Sequence, residues 1–134
     1  MRRHDWVERL DAVIEETRSA EFEYGVIDCA LFSARCVDAM TDSNWADELR
    51  AEYSSEVSAL KFMTREGGME AAVTKRLGEP KRWVYARRGD VCGMPTPIGI
   101  GLGICVGHRV AMITQKDGIA FLPLDTAQMA WSVD

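Results

Sequence analysis

The stretch Phe22-Glu23-Tyr24-Gly25-Val26-Ile27-Asp28-Cys29-Ala30-Leu31-Phe32 decides how this chain is read. A glycine-containing loop leads to an aspartate, and a cysteine follows where a helix should begin. Asp28 is a good N-cap, because its carboxylate can accept a bond from an unpaired amide of the first turn. The Cys29 thiol then sits at the positive end of the helix dipole, which favours thiolate and is one way a nucleophile is prepared. The competing reading is a small buried apolar residue, the usual fate of a free cysteine. The stretch alone leaves both open.

Upstream, Asp5 to Ser19 reads as an amphipathic helix, with Asp5 and Glu8 as a capping-box-like start. Trp6, Leu10, Val13, Ile14 and Thr17 recur at helical spacing and form the stripe expected to be buried. Downstream, a second helix is predicted from Cys29 to about Met40; its small and apolar residues make it central. Asp42-Ser43-Asn44 is a turn and a new cap. A short helix over Trp45 to Tyr53 follows, then one capped by Ser54 or Ser55 and broken at Gly67-Gly68. Met69 to Leu77 is a further helix, ended by Gly78 and Pro80.

The character changes after Pro80. Trp83-Val84-Tyr85 is β-prone, and Gly89-Asp90-Val91-Cys92 looks like a turn entering a strand. Gly99 to Val106 is a glycine-rich apolar strand, Gly107-His108 a turn, and Val110 to Thr114 its partner. Lys116-Asp117-Gly118 is a second hairpin turn before Ile119 to Leu122, and Met129 to Val133 is a last strand. Helices first and then an antiparallel meander predict the α+β class, with N-terminal helices packed on a C-terminal sheet of about five strands.

At 134 residues and 47% apolar, the chain is long enough for one domain with a real core, expected to span residues 1–134. The longest uncharged run, Val91 to Gly107, holds five glycines and two prolines, so no membrane span is expected. No apolar run follows the charged N-terminus, so no secretory signal is expected and synthesis in the cytoplasm is implied. A net charge of −5 argues against nucleic acid as the main partner. The basic stretch from Lys75 to Arg88 (Lys75, Arg76, Lys81, Arg82, Arg87, Arg88) reads as a solvated connector, with an anion patch as the alternative.

The four cysteines, Cys29, Cys36, Cys92 and Cys105, form no Cys-x-x-Cys pair. With only His4 and His108 available, neither a zinc cage nor another metal or cofactor site is expected. Reduced thiols are the default; Cys36, Cys92 and Cys105 read as core.

A helix-start cysteine followed by a short antiparallel sheet is the arrangement of papain-like cysteine peptidases. More narrowly, the chain resembles the NlpC-type cell-wall peptidase superfamily, and within it the small divergent members encoded in the tail gene clusters of phages and prophages. Tyr24-Gly25-Val26-Ile27-Asp28-Cys29-Ala30-Leu31-Phe32 resembles the family's Tyr-Gly loop and its Asp-Cys-Ser-Gly-Leu-like residues. Arg88-Gly89-Asp90-Val91 resembles its Pro-Gly-Asp-Leu entry into the sheet. Gly101-Leu102-Gly103-Ile104-Cys105-Val106-Gly107 resembles its His-Val-Gly-Ile-Tyr-Leu-Gly strand. Asp117-Gly118-Ile119 to Leu124 and Ala130-Trp131-Ser132-Val133 fit the divergent phage branch.

The resemblance implies a thiolate nucleophile, a histidine base and a third polar group that orients the histidine. Cys29 takes the nucleophile position. The histidine position holds Gly101, and the third lies near Val110 to Thr114, where Thr114 and Gln115 are the nearest polar candidates. Because the members of such a set act as a unit, loss of the base implies a catalytically degenerate fold. The resemblance then implies a virion protein of the tail tip or of tail assembly, with other tail proteins as partners and peptidoglycan as a further one.

The alternative is an active peptidase that cuts peptidoglycan stem peptides through Cys29. Its histidine would come from His108 or from a neighbouring chain, although His108 lies at the far end of the Gly101 strand. Gly99, Gly101 and Gly103 point to one face. That face is expected to be filled, with Trp131 or Trp83 as the filler, or docked against a partner.

Overall fold

Five helices precede the sheet, as their periodicity predicts. A computed structural model describes residues 1–134. The helices are α1 (Trp6–Thr17), α2 (Cys29–Thr41), α3 (Trp45–Glu52), α4 (Glu56–Glu66) and α5 (Met69–Leu77). The strands are β1 (Val91–Thr96), β2 (Gly99–Cys105), β3 (Arg109–Thr114), β4 (Gly118–Pro123) and β5 (Met129–Trp131). They form one antiparallel sheet in the order β4-β3-β2-β1-β5, so the meander is flanked by a last strand that returns beside β1. The chain is therefore α+β.

Local chemistry explains most boundaries. Ser55 caps α4 by accepting from Ser58 N–H, and the Ser58 hydroxyl accepts in return from the Ser55 amide. Gly67 and Gly78 end α4 and α5 with positive φ. Asp5 departs from expectation and makes no cap bond. Its carboxylate instead accepts from Arg9 Nε at 3.0 and 3.1 Å, one turn into the helix, so an ion pair replaces the capping box. Trp83–Tyr85 is likewise not a strand but a single 3-10 turn. Pairing with β5 is made just before it, at Lys81 and Ala130, and the chain then folds back through Tyr85 N–H to Arg82 O and Ala86 N–H to Trp83 O.

The sheet has two covered faces. On the inner face Val91, Leu102, Ile104, Ala111, Ile113 and Trp131 pack against the buried stripes of the helices. Leu10, Val13, Ile14 and Thr17 of α1 are buried there as their spacing predicts, and α2 lies across β2 and β3. Each fully buried side chain of this size contributes about 1.5–3 kcal/mol, and Leu10, Leu31 and Phe32 are all at 0% exposure. On the outer face a smaller cluster forms around Cys92, Met94, Cys105, Val110 and Met112, covered by Trp83, Leu122 and Leu124.

One irregularity positions everything that follows. β1 and β2 pair along their whole length, from Val91↔Ile104 to Thr96↔Gly99, and β3 and β4 likewise from Arg109↔Pro123 to Thr114↔Gly118. β2 and β3 pair only at Ile104↔Ala111 and Cys105↔Val110. Beyond those pairs the two strands part, and the start of α2 lies at the fork.

Candidate functional site around Cys29

The loop before α2 is held by one carboxylate. Asp28 Oδ1 accepts from Leu31 N–H at 2.9 Å, the predicted cap bond. Its Oδ2 accepts from Gly25 N–H at 3.1 Å, and the Tyr53 hydroxyl donates to the carboxylate at 3.0 Å from each oxygen. Gly25 has φ +82°, and a Cβ there would stand 2.6 Å from Ser54 Cα, so only glycine fits between the loop and α4's entry. The burial of Tyr53 and the facing Asp28 charge raise its hydroxyl well above the phenol range. The Asp28–Tyr53 bond ties the helix start to α3's end, 25 residues away.

Cys29 is partly exposed and touches both apolar clusters, so it lies at the seam between the two faces of the sheet. Across from it stands Gly101. A Cβ built on Gly101 would lie 3.7 Å from Cys29 Sγ, within ordinary contact. The same Cβ would lie 2.5 Å from Met112 Cε and 2.9 Å from Thr96 Cγ2. The space that a side chain at 101 would take is therefore already filled, by the Met112 methyl and the Thr96 methyl.

This corrects the expected filler. Trp131 is on the inner face, where its Nε1–H donates to Thr74 Oγ1 at 3.1 Å. Trp83 covers the outer cluster. Met112 was not singled out in the sequence, and only the pairing register identifies it. A hairpin that pairs Cys105 with Val110 puts Val110, Met112 and Thr114 on the face of Cys105, Gly103 and Gly101.

The helix start does not by itself give a thiolate. Burial pushes the Cys29 thiol up to about 11, and the Asp28 charge adds to the rise, against the N–H groups of Leu102 and Ala30 that favour thiolate. Desolvation outweighs the dipole here. Tyr24, at the loop's turn, also has its hydroxyl raised by burial and by the Glu56 charge, with Gln115 opposing.

The other predicted groups are not brought to the thiol. His108 lies exposed in the turn after β2, beyond the end opposite Gly101. The strand between them spans roughly 20 Å. His4 is exposed ahead of α1, and its neighbour Arg3 donates through N–H to Met40 O near the far end of α2. The Thr114 hydroxyl is spent in the β3–β4 hairpin, donating to Gly118 O at 2.9 Å and accepting from Asp117 N–H at 3.1 Å.

All four cysteines are free thiols. Cys92 and Cys105 are both fully buried and meet on adjacent strands, where a bond from Cys92 lowers the Cys105 thiol and raises that of Cys92. No group of three or more His, Cys, Asp or Glu side chains is placed to hold a metal ion. No helix is long and apolar enough to cross a membrane. The basic stretch is solvated, as expected: Lys75, Arg76, Arg82, Arg87 and Arg88 are exposed and only Lys81 is partly buried. Lys75 pairs with Glu66, Arg76 with Glu48, Lys81 with Asp90 and Arg88 with Asp11.

A cysteine-headed helix at the fork of a five-stranded antiparallel sheet defines the papain-like fold in its NlpC form. The structure is similar to the crystal structure of the NlpC/p60 domain of the peptidoglycan hydrolase SagA, with a TM-score of 0.61 over 93% of this chain and 97% of that one. Sequence identity is 12%, so the likeness is one of fold. The chain belongs to the family described as a domain of unknown function, DUF6950, whose model matches residues 1–133. No curated protein matches it.

Proposed function

We propose that this protein is a component of a phage tail, acting at the tail tip or in tail assembly, that keeps an NlpC-like fold without its hydrolytic chemistry. The observation that carries the loss of chemistry is the environment of Cys29: Gly101 stands opposite the thiol, and Met112 fills the space a base would need. A nucleophile–base pair works as a unit, and removing the base costs several orders of magnitude in rate. The tail role rests on the resemblance of the sequence motifs to the divergent phage branch. Other tail proteins are then the partners, peptidoglycan is a further contact, and the protein is made in the host cytoplasm and carried in the virion.

The test is Cys29→Ala in the parent phage or prophage. Particle formation and infectivity should be unchanged. Loss of infection with a normally folded variant would sink the degenerate reading.

One observation favours the alternative of an active peptidase: Cys29 is partly exposed at a well-capped helix start. In that reading Cys29 cuts stem peptides, with an imidazole from a neighbouring chain, since His108 lies at the far end of β2. Thiol reactivity separates the two. In the isolated protein, alkylation of Cys29 should rise about tenfold per pH unit through neutrality and level off only near pH 11. A plateau below about pH 8 would reveal a paired base. A base rebuilt by Gly101→His meets the Met112 and Thr96 methyls, and Met112 must move to admit it. Gly101→His with Met112→Ala should lower the Cys29 titration midpoint where Gly101→His alone does not.

A further inference from the structure

The outer face of the sheet is rich in sulfur. Four of the seven buried residues in its cluster, Cys92, Met94, Cys105 and Met112, carry a sulfur atom, so the interior there is soft and polarizable. Cys92 pairs with Gly103 across β1 and β2, and Cys105 lies two residues on from Gly103, on the same face. The two thiols are therefore diagonal neighbours, and they are in contact.

Their hydrogen bonds leave both free to lose a proton. The thiol of Cys92 bonds to that of Cys105. Cys105 donates to Gly107 O at 3.4 Å, and Gly107 is exposed in the turn after β2, so its carbonyl has water as a replacement donor. Deprotonation of the pair orphans no buried polar group.

The diagonal offset decides what can join the two sulfurs. Diagonal neighbours on paired strands lie roughly 7–8 Å apart, beyond the ~4.4–6.8 Å that a disulfide usually spans between Cα atoms. An ion between the sulfurs adds a metal–sulfur bond of about 2.3 Å on each side and closes that gap. Zinc is not served, because it takes four ligands and no three His, Cys, Asp or Glu side chains converge here. Thiolate and thioether sulfur select Cu(I) instead.

We infer that Cys92 and Cys105 hold one Cu(I) ion between them, with Met94 and Met112 as the soft shell around it. Each thiol gives its proton to solvent, and two sulfur–metal bonds form with no change in oxidation state. Both cysteines are at 0% exposure, so the shell keeps water and oxygen from the ion.

The test loads the full chain with Cu(I) under argon, in competition with the chelator bathocuproine disulfonate, whose colour reports the ion it holds. The chain should retain one equivalent. Cys92→Ser and Cys105→Ser should each weaken retention by more than the roughly 10–100-fold of an outer-shell change. Cys36→Ala and Cys29→Ala should retain the ion as wild type does. X-ray absorption of the loaded wild-type chain does not depend on how the variants fold, and it should show sulfur neighbours alone. Zn(II) offered in place of Cu(I) should not be retained. No retention of Cu(I), retention unchanged in both serine variants, or retention lost in Cys29→Ala would overturn the inference. So would nitrogen or oxygen neighbours of the ion, retention of Zn(II), or a Cys92–Cys105 disulfide formed in place of the ion.

Discussion

Two aspartates of this chain are almost equally buried, Asp28 at 3% and Asp90 at 2% exposure, yet they are satisfied in opposite ways. Asp28 accepts only from neutral donors: two backbone amides and the Tyr53 hydroxyl. Asp90 accepts from two cations, Arg2 Nη2 at 3.0 Å and Lys81 Nζ at 2.8 Å, and from the amides of Arg87 and Val133. Arg2 goes on to bond the carbonyls of Val133 and Arg88 and lies 4.3 Å over the Trp6 ring. Asp90 is therefore a knot that ties the N-terminal arm, the entry to the sheet and the C-terminal strand. Asp28 orients one helix start. The difference separates a residue that holds the fold from one that shapes a site.

The largest effect should come from Asp90→Ala, which strands two partly buried cations and two amides. A loss of about 3–5 kcal/mol in urea unfolding is expected, the usual cost of breaking a buried ion pair on one side. Asp28→Ala should cost less, about 2–3 kcal/mol, the sum of a lost cap and an unpaired Tyr53 hydroxyl. If the order were reversed, the distinction between knot and local cap would fail. Tyr53→Phe should cost about 1–2 kcal/mol, since it removes a donor to a charged acceptor while Asp28 keeps its amides. That change should leave the Asp90 region's hydrogen exchange unaltered, and a shift there would show that the two regions are coupled.

The regions also differ in their response to pH. The Cys29 thiol is raised from 9.0 to about 11 by burial. Above pH ~9 the unfolded thiol loses its proton while the folded one keeps it, so the unfolded state binds fewer protons and stability falls as pH rises. The contribution is fully present below pH ~9 and is lost at about 1.4 kcal/mol per pH unit up to pH ~11. Tyr53 and Cys36, also raised by burial, steepen the decline. Cys29→Ala should make the alkaline limb shallower than wild type between those pH values; equal slopes would mean that the apolar clusters around the thiol do not desolvate it.

The same contrast explains what could be read in the sequence. The cap of Asp28 joins residues three apart, and the helices follow from apolar spacing and from glycine stops, all of which are local. The hub of Asp90 joins residues 88 and 43 apart, and no local pattern marks Arg2 or Val133 as its partners. Trp83–Tyr85 has strand-forming side chains, but pairing had already been made at Lys81. The missing base could be read from Gly101 in the motif. The side chain that fills its place could not, because Met112 reaches Gly101 from another strand and only the hairpin register shows that they share a face. The desolvation of the thiol was hidden for a similar reason: a helix start favours thiolate, and only the tertiary fold shows the two apolar clusters packed against it.

The parting of β2 and β3 also has a mechanical side. The sheet consists of two ribbons, β5-β1-β2 and β3-β4, joined at Ile104↔Ala111 and Cys105↔Val110 with α2 laid across both. A load that pulls β4 away from β1 meets a continuous ladder within each ribbon and only this short seam between them. The seam yields first, from the open end, and the first groups it uncovers are Gly101, Met112 and the thiol of Cys29.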